Sequence, residues 1–206
     1  MNSSRFPTED EVIEDLGTDF VKIFVESVDG ASADFEELRA WRPGWASTYT
    51  SRHTASFLHE RIWARMVSGI DGVEGFEIID REPKREIHFG IKYQIRVKRH
   101  RPGDRISAVQ TVGNRRFWTN FEQTFDGLEQ FSLALGYMWD AEQRSVEYPV
   151  LSFRDGQESP IWAVRLERED DNALGFRWES VESPDLPDVD LGDIAVENEE
   201  EEDTGS

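Results

Sequence analysis

Apolar residues recur at three- and four-residue spacing in two stretches of this chain and at two-residue spacing in a third. In the first stretch Val12, Leu16, Phe20 and Ile23, with Ile13 and Phe24, fall on one stripe, which predicts a helix over 8–27. Thr8 and Glu11 have the spacing of a capping box, and Glu9, Asp10 and Glu11 suit the positive end of a helix. Gly17 is its weak point. A shorter helix is expected over 32–39, ending before Pro43. Trp41-Arg-Pro-Gly-Trp45 reads as a loop whose two indoles pack down on the body. The second stripe, Phe57, Leu58, Ile62, Met66 and Val67, predicts a helix over 54–69.

The period then becomes two. Ile87, Phe89, Ile91, Tyr93, Ile95 and Val97 alternate with His88, Gly90, Lys92, Gln94, Arg96 and Lys98, which predicts one long half-buried strand with the odd positions inward. Residues 76–80 read as its partner strand through the turn at Glu82-Pro83-Lys84, and Arg101-Pro-Gly-Asp104 ends it. A helix is expected over 115–125 from Phe117, Phe121 and Phe125. Four runs rich in β-branched and aromatic residues follow at 131–139, 145–153, 161–167 and 174–179, with turn residues between them, the pattern of an antiparallel meander. Helices first and strands later give an α+β expectation: N-terminal helices packed on an antiparallel sheet of five to seven strands. One domain is expected over 1–182, helical in 1–70 and sheet-rich in 74–180.

Charge changes this picture at both ends. The chain has 206 residues, 43 acids, 23 Lys and Arg, and a net charge of −20. Residues 179–206 hold twelve of the acids and no base, and residues 1–40 hold eleven acids and three bases. Low hydrophobicity with high charge predicts a disordered acidic tail over 183–206. Aliphatic residues alternate with its acids, which makes Asp188, Asp190, Glu199, Glu200, Glu201 and Glu202 candidate partner-binding residues. Zero cysteines exclude a disulfide scaffold, a thiolate zinc site, an iron–sulfur cluster and a cysteine nucleophile. No run approaches 18 apolar residues and the N-terminus has no apolar signal core. No membrane association is expected, and a cytoplasmic location is.

Candidate chemistry is sparse. His59-Glu60-Arg61-Ile62-Trp63 begins like a zinc-peptidase motif, but Trp63 stands where the second histidine ligand would be. No metal site and no cofactor are expected. Asp80, Glu86 and Lys92 resemble the Asp…Glu-x-Lys set of a Mg²⁺-dependent nuclease, with His88 where the lysine would fall. The segment 81–116 carries eleven bases against three acids. Within it His88, Lys92, Arg96 and Lys98 would project from one sheet face, with Arg99 and Arg101 beyond. Such a stripe suits phosphate contacts, hence a weak nucleic-acid interaction; an exposed, solvated face is the plainer expectation.

Three segments carry a family resemblance: Arg52-His-Thr-Ala-Ser-Phe-Leu-His59, Phe89-Gly-Ile-Lys-Tyr-Gln-Ile-Arg-Val-Lys98, and Leu135-Gly-Tyr-Met-Trp-Asp140 with Pro160-Ile-Trp-Ala-Val164 after it. They resemble poorly characterised bacterial and phage proteins encoded beside ImmA/IrrE-type zinc peptidases, in loci that look like toxin–antitoxin or phage-regulatory pairs. The resemblance implies a non-catalytic, antitoxin-like or regulatory protein with a protein partner, a zinc peptidase. Two alternatives stand beside it: an acidic nucleic-acid mimic that inhibits a DNA-binding enzyme, and the Mg²⁺ nuclease.

Overall fold

The computed structural model describes residues 6–81, 84–106, 111–118, 130–156, 160–168 and 176–181. The acids expected to bind a partner, Asp188, Asp190 and Glu199 to Glu202, lie outside the described residues. So does the part of the expected helix 115–125 beyond Trp118.

Gly17 splits the first expected helix. At φ 79° it takes a backbone that L side chains rarely adopt, and α1 (Glu9–Leu16) ends there while α2 (Thr18–Trp41) begins. The capping box forms: the Glu11 amide donates to Thr8 Oγ1 at 3.3 Å, and the Thr8 amide donates to the Glu11 carboxylate at 2.8 Å. The shorter helix expected over 32–39 is part of α2, because Val28, Ala31 and Phe35 continue the buried stripe of Phe20, Phe24 and Val25. Pro43 begins a single turn, α3 (Pro43–Ala46). Thr50 then caps α4 (Ser51–Ile70), its hydroxyl accepting from the His53 amide at 3.2 Å.

The strands are β1 (Phe76–Arg81), β2 (Lys84–Phe89), β3 (Tyr93–Arg101), β4 (Arg105–Ile106), β5 (Phe131–Asp140), β6 (Ser145–Arg154), β7 (Pro160–Arg168) and β8 (Phe176–Ser180), with α5 (Val112–Trp118) between β4 and β5. They form one eight-stranded sheet in the order β1-β2-β3-β5-β6-β7-β8, with β4 paired to β3. The expectation of an antiparallel sheet is corrected here to a mixed one. β3 and β5 run parallel, from Tyr93↔Phe131 to His100↔Met138. Parallel neighbours need a crossover rather than a tight turn, and α5 lies in that connection. From β5 to β8 the expected antiparallel meander is present.

The long strand expected from Ile87 onward is two strands. Gly90, at φ 52°, opens a turn that pairs Phe89 with Tyr93 and Ile87 with Ile95. Ile91 sits in that turn and is 67% exposed, against the expectation that it is buried.

Helices α2 and α4 cover one face of the sheet. Phe20, Phe24, Leu58, Ile62 and Met66 meet Ile87, Tyr93, Ile95, Leu133 and Phe153 there. On the other face Phe117 and Trp118 of α5 join Ile106 and Ala134. β5 is therefore buried along both faces. Ser132, Ala134 and Gly136 stand on its second face, and a β-carbon at Gly136 would strike the backbone carbonyl of Lys98. No helix among the described residues is long and apolar enough to cross a membrane.

Candidate interaction surface

The basic stripe read from the sequence does not form a solvated face. Alternation puts Glu86 and His88 of β2 and Gln94, Arg96, Lys98 and His100 of β3 on the face opposite the helices, where much of the charge is engaged. Glu86, fully buried, accepts from Arg96 at 2.6 Å and pairs with His88 and Lys84 at 2.9 Å each. Arg96 also donates to Asn114 at 2.6 Å, and its guanidinium lies 3.8 Å from the Phe117 ring centroid. Burial alone would push the Glu86 carboxyl up, but hydrogen bonds from Arg96, His88 and Lys84 outweigh it and hold it below the usual range. Burial, with the Arg96 charge beside it, holds the Lys98 ammonium below its ordinary value. Lys92 is not on this face: it stands in the turn and pairs with Asp15 of α1 at 2.5 Å. Arg99 and Arg101 have the opposite parity and lie on the helix side.

The three residues of the nuclease reading are held apart. Asp80 lies on the helix side, accepting from Trp63 Nε1 at 2.9 Å and from Arg85 at 3.0 Å. Glu86 is on the other face and Lys92 is in the turn, each with its own partner. Trp63, at the broken position of the zinc-peptidase motif, is a buried core residue. Among the described residues no three His, Asp or Glu side chains are grouped to hold a metal.

A polar cluster that the sequence did not reveal lies under the second face. His100 Nε2 is 3.0 Å from Ser152 Oγ, which accepts from Arg154 Nε at 3.1 Å, and Arg154 Nη2 donates to the backbone carbonyl of Asp104. A serine and histidine at this separation could act as nucleophile and base. Here both are fully buried, and burial together with the Arg154 charge pushes the imidazole down to about 3. A base that weak takes no proton from a hydroxyl near neutral pH. The cluster fits a packing role, tying β3, β6 and the carbonyl of Asp104 together beneath the second face.

Exposed aromatic surface is concentrated elsewhere. Trp41 and Trp45, expected to pack down on the body, are 63% and 57% exposed. They meet edge to face at 6.1 Å, and the Arg42 guanidinium lies 4.4 Å from one ring centroid and 5.1 Å from the other. The loop was expected and the exposure of its indoles was not, although Pro43-Gly44 between two tryptophans marks a tight turn, and turns run over the surface. The turn is held from behind. Arg144, at the β5–β6 turn, donates to the carbonyls of Ala46, Ser47 and Tyr49 at 3.5, 3.4 and 3.0 Å. Beside it Phe35, Arg39, Ala40, Pro43 and Ala46 line a cleft of about 460 Å³.

This end of the sheet is also where arginines lack acids. Arg99 donates to Ser51 Oγ at 3.0 Å, which ties the end of β3 to the start of α4, and Arg101 pairs across to Arg105 in the ladder. Arg42, Arg52, Arg99, Arg101, Arg105 and Arg144 make no ion pair with a carboxylate among the described residues. Most other arginines do: Arg61 and Arg65 hold Asp34, Arg85 holds Asp80 and Glu60, and Arg168 holds Glu26 and Asp29. The positive end of the α4 dipole points the same way. Comparison with protein-family models, curated proteins and solved structures finds no match to this chain.

Proposed function

We propose that this protein acts by binding another protein rather than by catalysis, with Trp41, Arg42 and Trp45 at the centre of the contact surface. One observation carries the reading: two indoles are more than half exposed on a turn that Arg144 braces. Exposed indoles in water forgo a large burial term, and tryptophan and arginine are the residue types that dominate binding hot spots. The brace means that little ordering remains to be done on binding, which favours affinity. The partner, in this reading, is an ImmA/IrrE-type zinc peptidase in a toxin–antitoxin or phage-related locus, and the protein is its antitoxin-like or regulatory companion. That identity rests on the sequence resemblance.

Co-expression with such a peptidase from the same genome, followed by size-exclusion chromatography and calorimetry, tests both parts. A complex is expected, and Trp41→Ala with Trp45→Ala should weaken it by about 30-fold or more, the effect of losing roughly 2 kcal/mol at a hot spot. A complex unaffected by the double change would move the interface elsewhere. No complex would remove the peptidase.

A further inference from the structure

We propose that the arginine-rich end bearing Trp41 and Trp45 binds acidic polypeptide, and that the chain's own segment 182–206 occupies it in the isolated protein. This rests on the reading of that end as the partner surface and adds what regulates it.

Charge complementarity is the first argument. Six arginines at this end make no ion pair with a carboxylate among the described residues and outnumber Asp104, Asp140 and Glu142 in the neighbouring turns, while segment 182–206 contains eleven acids and no base. Ile194 and Val196 immediately precede the acids at Glu197 and Glu199 to Asp203, so the segment offers apolar side chains for indoles beside carboxylates for guanidiniums. Reach is the second. The Val181 amide donates to the Ala163 carbonyl at 2.8 Å, and Ser180 pairs with Val164. That places Val181 toward the end of the sheet where β7 begins, opposite the end where Arg144 stands. Strands of nine or ten residues separate the two ends by about 30 Å. The 25 residues after Val181 span up to about 80 Å when extended, so the acid run reaches the arginines with chain to spare. The third argument is competition. A molecule at −20 repels other polyanions at range, whereas tethering supplies its own acids at an effective concentration on the order of millimolar. A partner that docks on this end must therefore displace the segment.

The absence of native cysteine permits a direct measurement on the full chain. Asn198→Cys, within the acid run, carries a nitroxide, and indole N–H resonances are assigned one by one through Trp→Phe changes. The nitroxide should reduce the Trp41 and Trp45 signals to below half, while that of Trp63, buried on the inner side of α4, stays intact. The signals should return in 1 M NaCl, where the Debye length is about 3 Å, and in Arg42→Glu/Arg101→Glu at low salt. Unreduced signals, or signals equally reduced in the charge-reversed variant, would overturn the assignment. Loss of the effect on tenfold dilution would replace the chain's own segment with that of a second copy. A labelled single-stranded oligonucleotide bound by the full chain in the same buffer would show the end open to a foreign polyanion, and would also overturn it. Each result is independent of whether the tryptophan variants lose the peptidase.

Discussion

Arg96 and Glu86 meet across β3 and β2 on the face turned away from the helices, with Arg96 Nη2 2.6 Å and Nε 3.1 Å from the same carboxylate oxygen. The pair sits beneath Phe117, so a residue read from the sequence as part of a solvated stripe helps to fasten α5 to the sheet. Removing one partner from a buried pair leaves the other charge uncompensated. Glu86→Gln should therefore cost about 3–5 kcal/mol, read by urea denaturation near pH 7. The sign of its pH dependence follows from the direction of its shift. A carboxyl held below its ordinary value contributes stability that is present above the unfolded pKa, near 4.5, and lost as pH falls through the lower folded value. The Gln variant should accordingly lose less stability than the parent on acidification below pH 4.5.

Ile91 and Ile95 test the hairpin against a single strand. Ile95 is fully buried opposite Ile87, and Ile91 is 67% exposed in the turn. Ile95→Asp should unfold the protein, because an unpaired charge in a core costs several kcal/mol. Ile91→Asp should leave the melting temperature nearly unchanged. Circular dichroism melts of the two variants decide it; equal melting would mean that β2 and β3 are one continuous strand.

These two residues also show how far the sequence was legible. Odd positions point inward on both sides of the turn, because a three-residue loop between Phe89 and Tyr93 keeps the parity. Alternation therefore identified Ile87, Tyr93, Ile95 and Val97 correctly and gave no sign that Ile91 stands at a tip. Strands β5 to β8 were legible because turn residues separate compact runs. The parallel pairing of β3 with β5 was not, since partner choice at long range leaves no local pattern. At the surface the error had one cause. Residue type indicates that an indole prefers burial, but only the path of the chain shows whether a partner surface exists, and for Trp41 and Trp45 the body supplies none. Likewise Arg96 read as exposed because nothing in the alternation indicates that α5 lies over it.

His100 should make stability pH-dependent well above the carboxylate range. Burial and the Arg154 charge push its folded value down to about 3 from an ordinary 6.5. The unfolded chain then binds a proton that the folded one refuses, so stability declines as pH falls from 6.5 toward 3. At about 1.4 kcal/mol per unit, the contribution at pH 5 is about 2 kcal/mol. His100→Gln keeps a group able to bond Ser152 and removes the titration. The difference between urea midpoints at pH 7.5 and 5 should be smaller in the variant than in the parent, the remainder coming from groups such as His59, which burial also holds below its ordinary value. Equal separation in both would show that the imidazole takes up its proton in the folded state.

Arg144 offers a way to disturb the partner surface without touching it. Its guanidinium reaches three carbonyls of the 46–49 segment from the far side of the sheet end, and its own backbone carbonyl accepts from Arg39 at 3.4 Å. Lysine would keep the charge but lose the planar fork that serves several acceptors at once. Arg144→Lys should therefore loosen the turn that carries Trp41 and Trp45 while leaving both indoles in place. Each of these exposed or half-buried hydrogen bonds is worth only about 1 kcal/mol and lysine can keep one of them, so the melting temperature should fall by a few degrees at most. Affinity for the partner should fall by about 10-fold, since the turn must then be ordered on binding. Calorimetry of the variant with the partner, beside its melting curve, separates the two effects. A variant that binds at full strength would show that Trp41 and Trp45 need no brace, and that the turn is set by Pro43 and the end of α2 alone.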